Sequence, residues 1–284
     1  MPKEVYPKTS KRETAAMEKK YGHSVDRNAG RRFPYMQIDD FLLLVKKRRS
    51  IRTFKPDPIP EQYIEKVLEA ARWAMSGGNG QPWEFIVVKD HDIRNKIIEI
   101  VAKGQKERWP IEQTRLAELR HPGWTANVTP GPPGFRDAPV IIVVCADPRA
   151  YQASAMPVHF FSGQDGGFGA IFYKNLANAT QNIHLAAAAL GLGSQWFTVS
   201  SPMAGPIKSL LDVPDEFDIH TLVPIGYPAY EPVQGYRREL KEIVHYDRYD
   251  RSKYRSSEDV IQFISELRQR TTRAYEKFWG DKSA

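Results

Sequence analysis

The chain has one cysteine, Cys145, among 284 residues. That excludes an internal disulfide framework and fits a reducing compartment, so a cytoplasmic location is expected. No run of 18 or more apolar residues occurs, so no membrane span is expected. The opening Met1-Pro2-Lys3-Glu4 lacks the apolar stretch of a secretory signal. Seven histidines are scattered without metal-ligand spacing, and no metal is expected. The familiar phosphate cradles are missing too: neither G-x-x-x-x-G-K-[ST] nor G-x-G-x-x-G is present. The glycines at Gly163, Gly166, Gly167 and Gly169 have no accompanying lysine and no strand before them.

What is present begins with charge. The net charge is +7, and residues 1 to 49 carry all of it, with thirteen Lys and Arg against six Asp and Glu. A basic leader of this kind can bind nucleic acid, but single-strand binders interleave aromatic residues with the cations, and this one does not. A solvated extension followed by a small-anion site is the expectation, with no nucleic-acid and no membrane partner. The hydrophobic share, 41%, suffices for one sizeable core.

Taken in order, residues 1–36 read as a basic extension without periodicity. Residues 37–250 read as the main domain, and 251–284 as a C-terminal helical arm. A short apolar helix over 38–47 delivers Arg48-Arg49-Ser50-Ile51-Arg52 to a turn. Pro56, Pro58 and Pro60 delay the next helix to Glu61, after which Ile64, Val67, Leu68, Ala71 and Met75 recur with helical spacing. Trp83 to Val88 and the apolar run Ala138 to Ala146 read as strands, the second covered on both faces. A helix through Ile93, Ile97, Ile100 and Val101 lies between them. Further helices are expected at Phe172 to Leu190 and Ile207 to Leu211, and strands at Ser194 to Val199 and Thr221 to Ile225. Two inserts, about 104–137 and 151–170, read as irregular. A helix over 257–279 closes the chain with no evident partner in the core before it.

Two stretches carry chemistry. Arg48, Ser50 and Arg52 alternate, so an extended turn can aim all three at one anion; arginine suits a phosphate because its planar fork donates in pairs. Thirty residues later, Ser76-Gly77-Gly78-Asn79-Gly80-Gln81-Pro82-Trp83 joins a helix to a strand. Its glycines let a flat ligand approach the backbone, and Asn79 and Gln81 offer donors and acceptors that match the uracil-like edge of a flavin. Each stretch also has a plain reading, as solvated surface and as a flexible helix stop. Cys145, inside an apolar strand, reads as inert packing.

Five blocks in order resemble the FMN-dependent nitroreductase family (NADH oxidase/flavin reductase-like). They are Arg48 to Phe54, Asn79 to Phe85, Ala188 to Ser194, Pro224 to Ala229, and Arg237-Arg238 ahead of Leu240 to Val244. The resemblance implies an α+β fold, a central mainly antiparallel sheet flanked by helices, and an intertwined homodimer with FMN at the subunit interface. It implies that Arg48, Arg49, Ser50 and Arg52 hold phosphate, ribityl and pyrimidine, and that Arg237 reaches the phosphate. Met75, Ser76, Gly77, Asn79 and Gln81 would lie along the ring, with Met75 to Asn79 coming from the other subunit. A backbone amide of Phe197, Thr198 or Val199 would face flavin N5. Two family positions differ: Gly235 stands where a lysine is common, and Glu239 where a proline is.

The implied reaction is ping-pong transfer of a hydride from NADH or NADPH through FMN to a nitroaromatic, a quinone or a similar flat acceptor. No side chain need act as acid or base, and Arg52 would stabilise the reduced cofactor. Trp109, Trp124, Phe160 and Phe161 are candidate walls for the acceptor, or simply loop anchors. His159 and His184 could relay protons or be structural. The alternatives are a reductive dehalogenase or deiodinase-like enzyme, or another specialised flavoenzyme, on the same fold, and a cofactor-free nucleic-acid binder.

Overall fold

The computed structural model describes residues 36–120, 131–149 and 168–279. It divides into a unit ending at Lys46 and a unit beginning at Lys47. The first holds nearly all of α1 (Ile38–Lys47), with Asp39 and Asp40 in its first turn and Phe41, Leu42, Leu43 and Val45 exposed.

The second unit is built on an antiparallel sheet. Strands β1 (Trp83–Val88), β2 (Val140–Ala146), β5 (Asp218–Gly226) and β3 (Gly193–Ser194) lie in that order, and β4 (Phe197–Thr198) also pairs with β5. Every residue of β2 is buried because alternate side chains enter different cores. Ile141 and Val143 meet α3 (His91–Gln113) and α5 (Ser201–Leu210) through Ile97, Val101, Met203 and Ile207. Val140, Ile142 and Val144 meet α2 (Glu61–Arg72) and α4 (Phe168–Ala189) through Ile64, Val67, Ala71, Ile183 and Ala187. Each of the valine, isoleucine and methionine side chains contributes roughly 1.5–3 kcal/mol. The expected α+β fold with helices on both faces is the one observed.

Several boundaries differ from expectation. Helix α3 continues to Gln113 through Pro110. Pro110 is exposed, so the carbonyl it leaves without a helical donor can turn to water. The next turn is held by Glu112, which lies 3.1 Å from Arg115 and 3.7 Å from Arg108. The expected strand 194–199 is interrupted at Gln195 and Trp196, although both pieces follow one register on β5. Helix α5 starts at Ser201, earlier than expected, with Pro202 in its first turn. The register of β2 on β5 shifts at Val144/Cys145, which leaves His220 as an extra residue on β5. After the short α6 (Leu240–Ile243), the last helix, α7 (Ser257–Trp279), packs against the 3₁₀ turn Ala117–Leu119 of its own chain.

Candidate functional site

The cationic turn is fastened along the β3 end of the sheet. Ser50 bridges Ser194, Ile51 N donates to Ser194 O at 3.0 Å, and Lys55 N donates to Tyr227 O at 2.9 Å. Ile51 and Phe54 are buried, and that leaves Arg52 exposed between them. The fit leaves no slack. A Cβ on Gly193 would lie 2.6 Å from Ile51 Cγ1, and a Cβ on Gly134 would lie 2.5 Å from the Arg52 carbonyl oxygen.

Arg48 and Arg49 are half-buried behind this turn, and Arg49 donates to the Arg48 carbonyl at 2.8 Å. Burial, then the charges of Arg237 and Arg49, pull the Arg48 pKa below its ordinary value. Arg237 thus brings its charge to bear on Arg48 from 189 residues away. Like charges gathered this way and partly desolvated are costly unless an anion joins them. The donor set suits a phosphate.

His184 stands next to this cluster. It is buried on α4, and its Nδ1 is 2.7 Å from Ser194 Oγ. Burial, then the charge of Arg48, lowers its pKa to about 4. The side chain is therefore neutral at physiological pH and structural in its contacts; His159 lies outside the described residues. The unfolded chain, with an ordinary histidine pKa near 6.5, takes the proton more readily than the folded one. Stability from this group is full above about pH 6.5 and is lost as pH falls toward 4, by roughly 3 kcal/mol in all. Urea denaturation at stepped pH should show a loss between pH 6.5 and 4 that His184→Gln abolishes. An unchanged slope in the variant would assign the loss to other groups.

The glycine-rich stretch forms a tight turn, with Gly77–Asn79 as one 3₁₀ turn. Gly78, Asn79 and Gln81 all have positive φ, at 61°, 55° and 42°. Asparagine tolerates that region, but glutamine adopts it seldom, and such strain concentrates where a ligand must be met. Gln81 N donates to Ser76 Oγ at 3.1 Å, and Gln81 Nε2 to Asn79 O at 3.3 Å. Met75 is 80% exposed beside it. The turn is also held from α4 by one face of asparagines, which the sequence reading missed. Asn175 Oδ1 accepts from Gly77 N at 3.1 Å, Asn178 donates to Met75 O at 3.1 Å, and Asn182 donates to Ala70 O at 2.9 Å. Their spacing of three and four residues is the one available signal, and it reads equally well as an ordinary polar helix face.

Within one chain these two stretches do not meet. Trp83, at the end of the glycine turn, pairs with Ala146, which pairs with Asp218; Ser50 lies beside Ser194, which pairs with Ile225. Seven residues along β5 and four strand spacings across the sheet separate them, roughly 30 Å. They occupy diagonal corners.

Strand β4 lies between those ends. Phe197 turns its ring into the core, 5.2 Å from that of Phe135, and Val199 packs against the same cluster. Thr198 is exposed, leaving its surroundings open to a ligand. Of the candidate acceptor walls, Trp109 is half-buried on α3, with Nε1 buried and unbonded; Trp124, Phe160 and Phe161 lie outside the described residues. Cys145 is buried, and burial followed by the Glu84 charge pushes its thiol up to about 11, which keeps it protonated and unreactive. No cluster of metal-ligating side chains exists among the described residues.

The sequence profile of the Nitroreductase family matches residues 45–227. A provisionally named NADH dehydrogenase/NAD(P)H nitroreductase of Archaeoglobus fulgidus is 31% identical over 196 residues, 68% of this chain and 88% of the relative. Iodotyrosine deiodinase 1 of Rattus norvegicus is 30% identical over 204 residues, 68% of this chain and 64% of the relative. Among solved structures, an oxidised iodotyrosine deiodinase bound to FMN and 3-iodo-L-tyrosine superposes with a TM-score of 0.54 at 23% identity, covering 74% of this chain and 99% of that one. That likeness concerns the fold.

Proposed function

The chain belongs to the nitroreductase family, and from that premise we propose an FMN-dependent oxidoreductase that moves a hydride from NADH or NADPH to a flat, electron-poor small molecule such as a nitroaromatic or a quinone. The observation that carries the reading is the convergence of the like charges of Arg48, Arg49 and Arg237 in a partly buried cluster. When bound, FMN supplies the carrier that accepts a hydride and gives it on.

The chain's own residues hold and orient. Arg48, Arg49 and Arg237 grip the phosphate, and Ser50 lies on the exposed side of the same turn. Arg52, exposed and clamped at its carbonyl by Gly134, sets a fixed positive charge where negative charge develops on the pyrimidine side. The strained Gly77 to Gln81 turn offers backbone groups to the ring edge. Its place at the far corner of the sheet supports a site completed by a second copy, in a homodimer where each ring lies between the cationic turn of one chain and the glycine turn of the other.

The test is direct. The purified protein should be yellow, and apoprotein should take up FMN with matching stoichiometry and oxidise NADH or NADPH when an acceptor is present. A colourless protein that ignores added FMN would sink the reading. Reductive removal of halogen from an aromatic ring is a second reading, favoured by 30% identity to the rat deiodinase, although the chain spans only 64% of that relative. Iodide release from an iodinated phenol separates the two.

A further inference from the structure

Arg237 sits on a limb, residues 231–239, that belongs to no helix or strand. It lies beyond residue 227, where the family match ends. An exposed arginine on an irregular limb would ordinarily sample many directions, yet its charge is placed on Arg48. Something must hold the limb on each side of it. On the C-terminal side, Arg238 donates to the Glu242 carbonyl at 2.9 Å and pairs with its carboxylate at 3.3 Å. On the N-terminal side stands Tyr236.

The Tyr236 ring is held by α7. Arg270 places its guanidinium carbon 4.8 Å from the ring centroid, and the Phe263 ring lies 6.4 Å away, tilted by 52°. Arg255 covers Phe263 in turn, at 4.7 Å. The Tyr236 backbone makes a contact of its own. Its carbonyl accepts from Arg237 Nη1 at 2.8 Å, so the residue gripped by the helix also fixes the fold-back of the guanidinium. Gly235 leaves space for this, since a Cβ there would come within 3.3 Å of Arg237 Nη1.

We propose that the C-terminal helix α7 grips Tyr236 to aim Arg237 at the anion site, which makes Tyr236 a positioning residue for the cofactor phosphate. The inference rests on the reading of that site as a phosphate site. It gives the last helix a task in its own chain: ordering in advance a cation that would otherwise lose entropy on binding.

The experiment compares FMN with riboflavin, which lacks the phosphate, on apoprotein by fluorescence titration. Tyr236→Ala should weaken FMN about fivefold, the upper end for an exposed cation–π contact, and leave riboflavin unchanged. Tyr236→Phe keeps the ring and should bind FMN within about twofold of the parent. In an Arg237→Ala background, Tyr236→Ala should add nothing further, because the two residues act as one unit. Equal weakening of riboflavin, additive losses in the double variant, or unchanged FMN binding by Tyr236→Ala would each overturn the proposal while leaving the cofactor reading intact. A parent protein that binds neither compound would remove both.

Discussion

Arg48→Ala lowers FMN affinity on the order of a hundredfold, about 2.7 kcal/mol, and leaves the melting temperature of the apoprotein unchanged or slightly higher. The two halves of this result come from one feature. Arg48 is partly buried, and the charges of Arg237 and Arg49 act on it with the same sign as its own. Without a ligand, the charge is a cost; with a phosphate dianion, it makes charge-assisted hydrogen bonds of about 1.5–3 kcal/mol. Arg48→Lys keeps the charge without the paired donors, so its affinity should fall between the two. Fluorescence titration and thermal melts of the same preparations give the comparison. A loss below threefold, or a loss accompanied by an equal drop in apoprotein stability, would mean that Arg48 is a packing residue.

Gly134→Ala should cost the apoprotein about 1–3 kcal/mol, the usual penalty for forcing an atom into a filled space, and weaken FMN binding as well. The new Cβ would stand 2.5 Å from the carbonyl oxygen of Arg52, a backbone atom that no rotamer change can move aside. The turn must shift, and Arg52 with it. Gly193→Ala presses on the same turn from its other side, at 2.6 Å from Ile51 Cγ1, and should behave alike. Gly131→Ala is the control, because nothing lies within 4 Å of its added Cβ; its effect should stay within about 0.5 kcal/mol. Chemical denaturation of all three, followed by titration with FMN, distinguishes a squeezed turn from a general intolerance of alanine. A Gly134→Ala protein as stable as the parent would show that the loop yields freely.

How much could be read without coordinates depended on the range of each interaction. The seven apolar residues of β2 announce a strand covered on both faces, because burial of consecutive side chains leaves a local trace. The cationic turn and the Gly77 to Gln81 turn are visible for the same reason: composition and spacing are packed into a few residues. The sequence ends helix α3 before residue 104, where prolines and glycines crowd a stretch with little pattern, whereas the contacts that carry the helix on are made around Glu112. Arg237 came only with the family resemblance, since nothing in its neighbourhood points 189 residues back. Asn175, Asn178, Asn182 and Tyr236 left no usable trace. Their partners, Gly77, Met75, Ala70 and Arg270, are set by tertiary packing, which no period in the chain encodes.

The diagonal placement of the two stretches has a genetic corollary. If each ring cavity draws one corner from either copy, as proposed, a lesion at Arg48 and a lesion at Gly77 would damage different halves. A mixed pair of such chains brings both lesions together in one cavity and leaves the other wholly wild-type. Two alleles that are inert alone would then rescue each other, and the half of its sites that each mixed dimer regains would count the chains in each site.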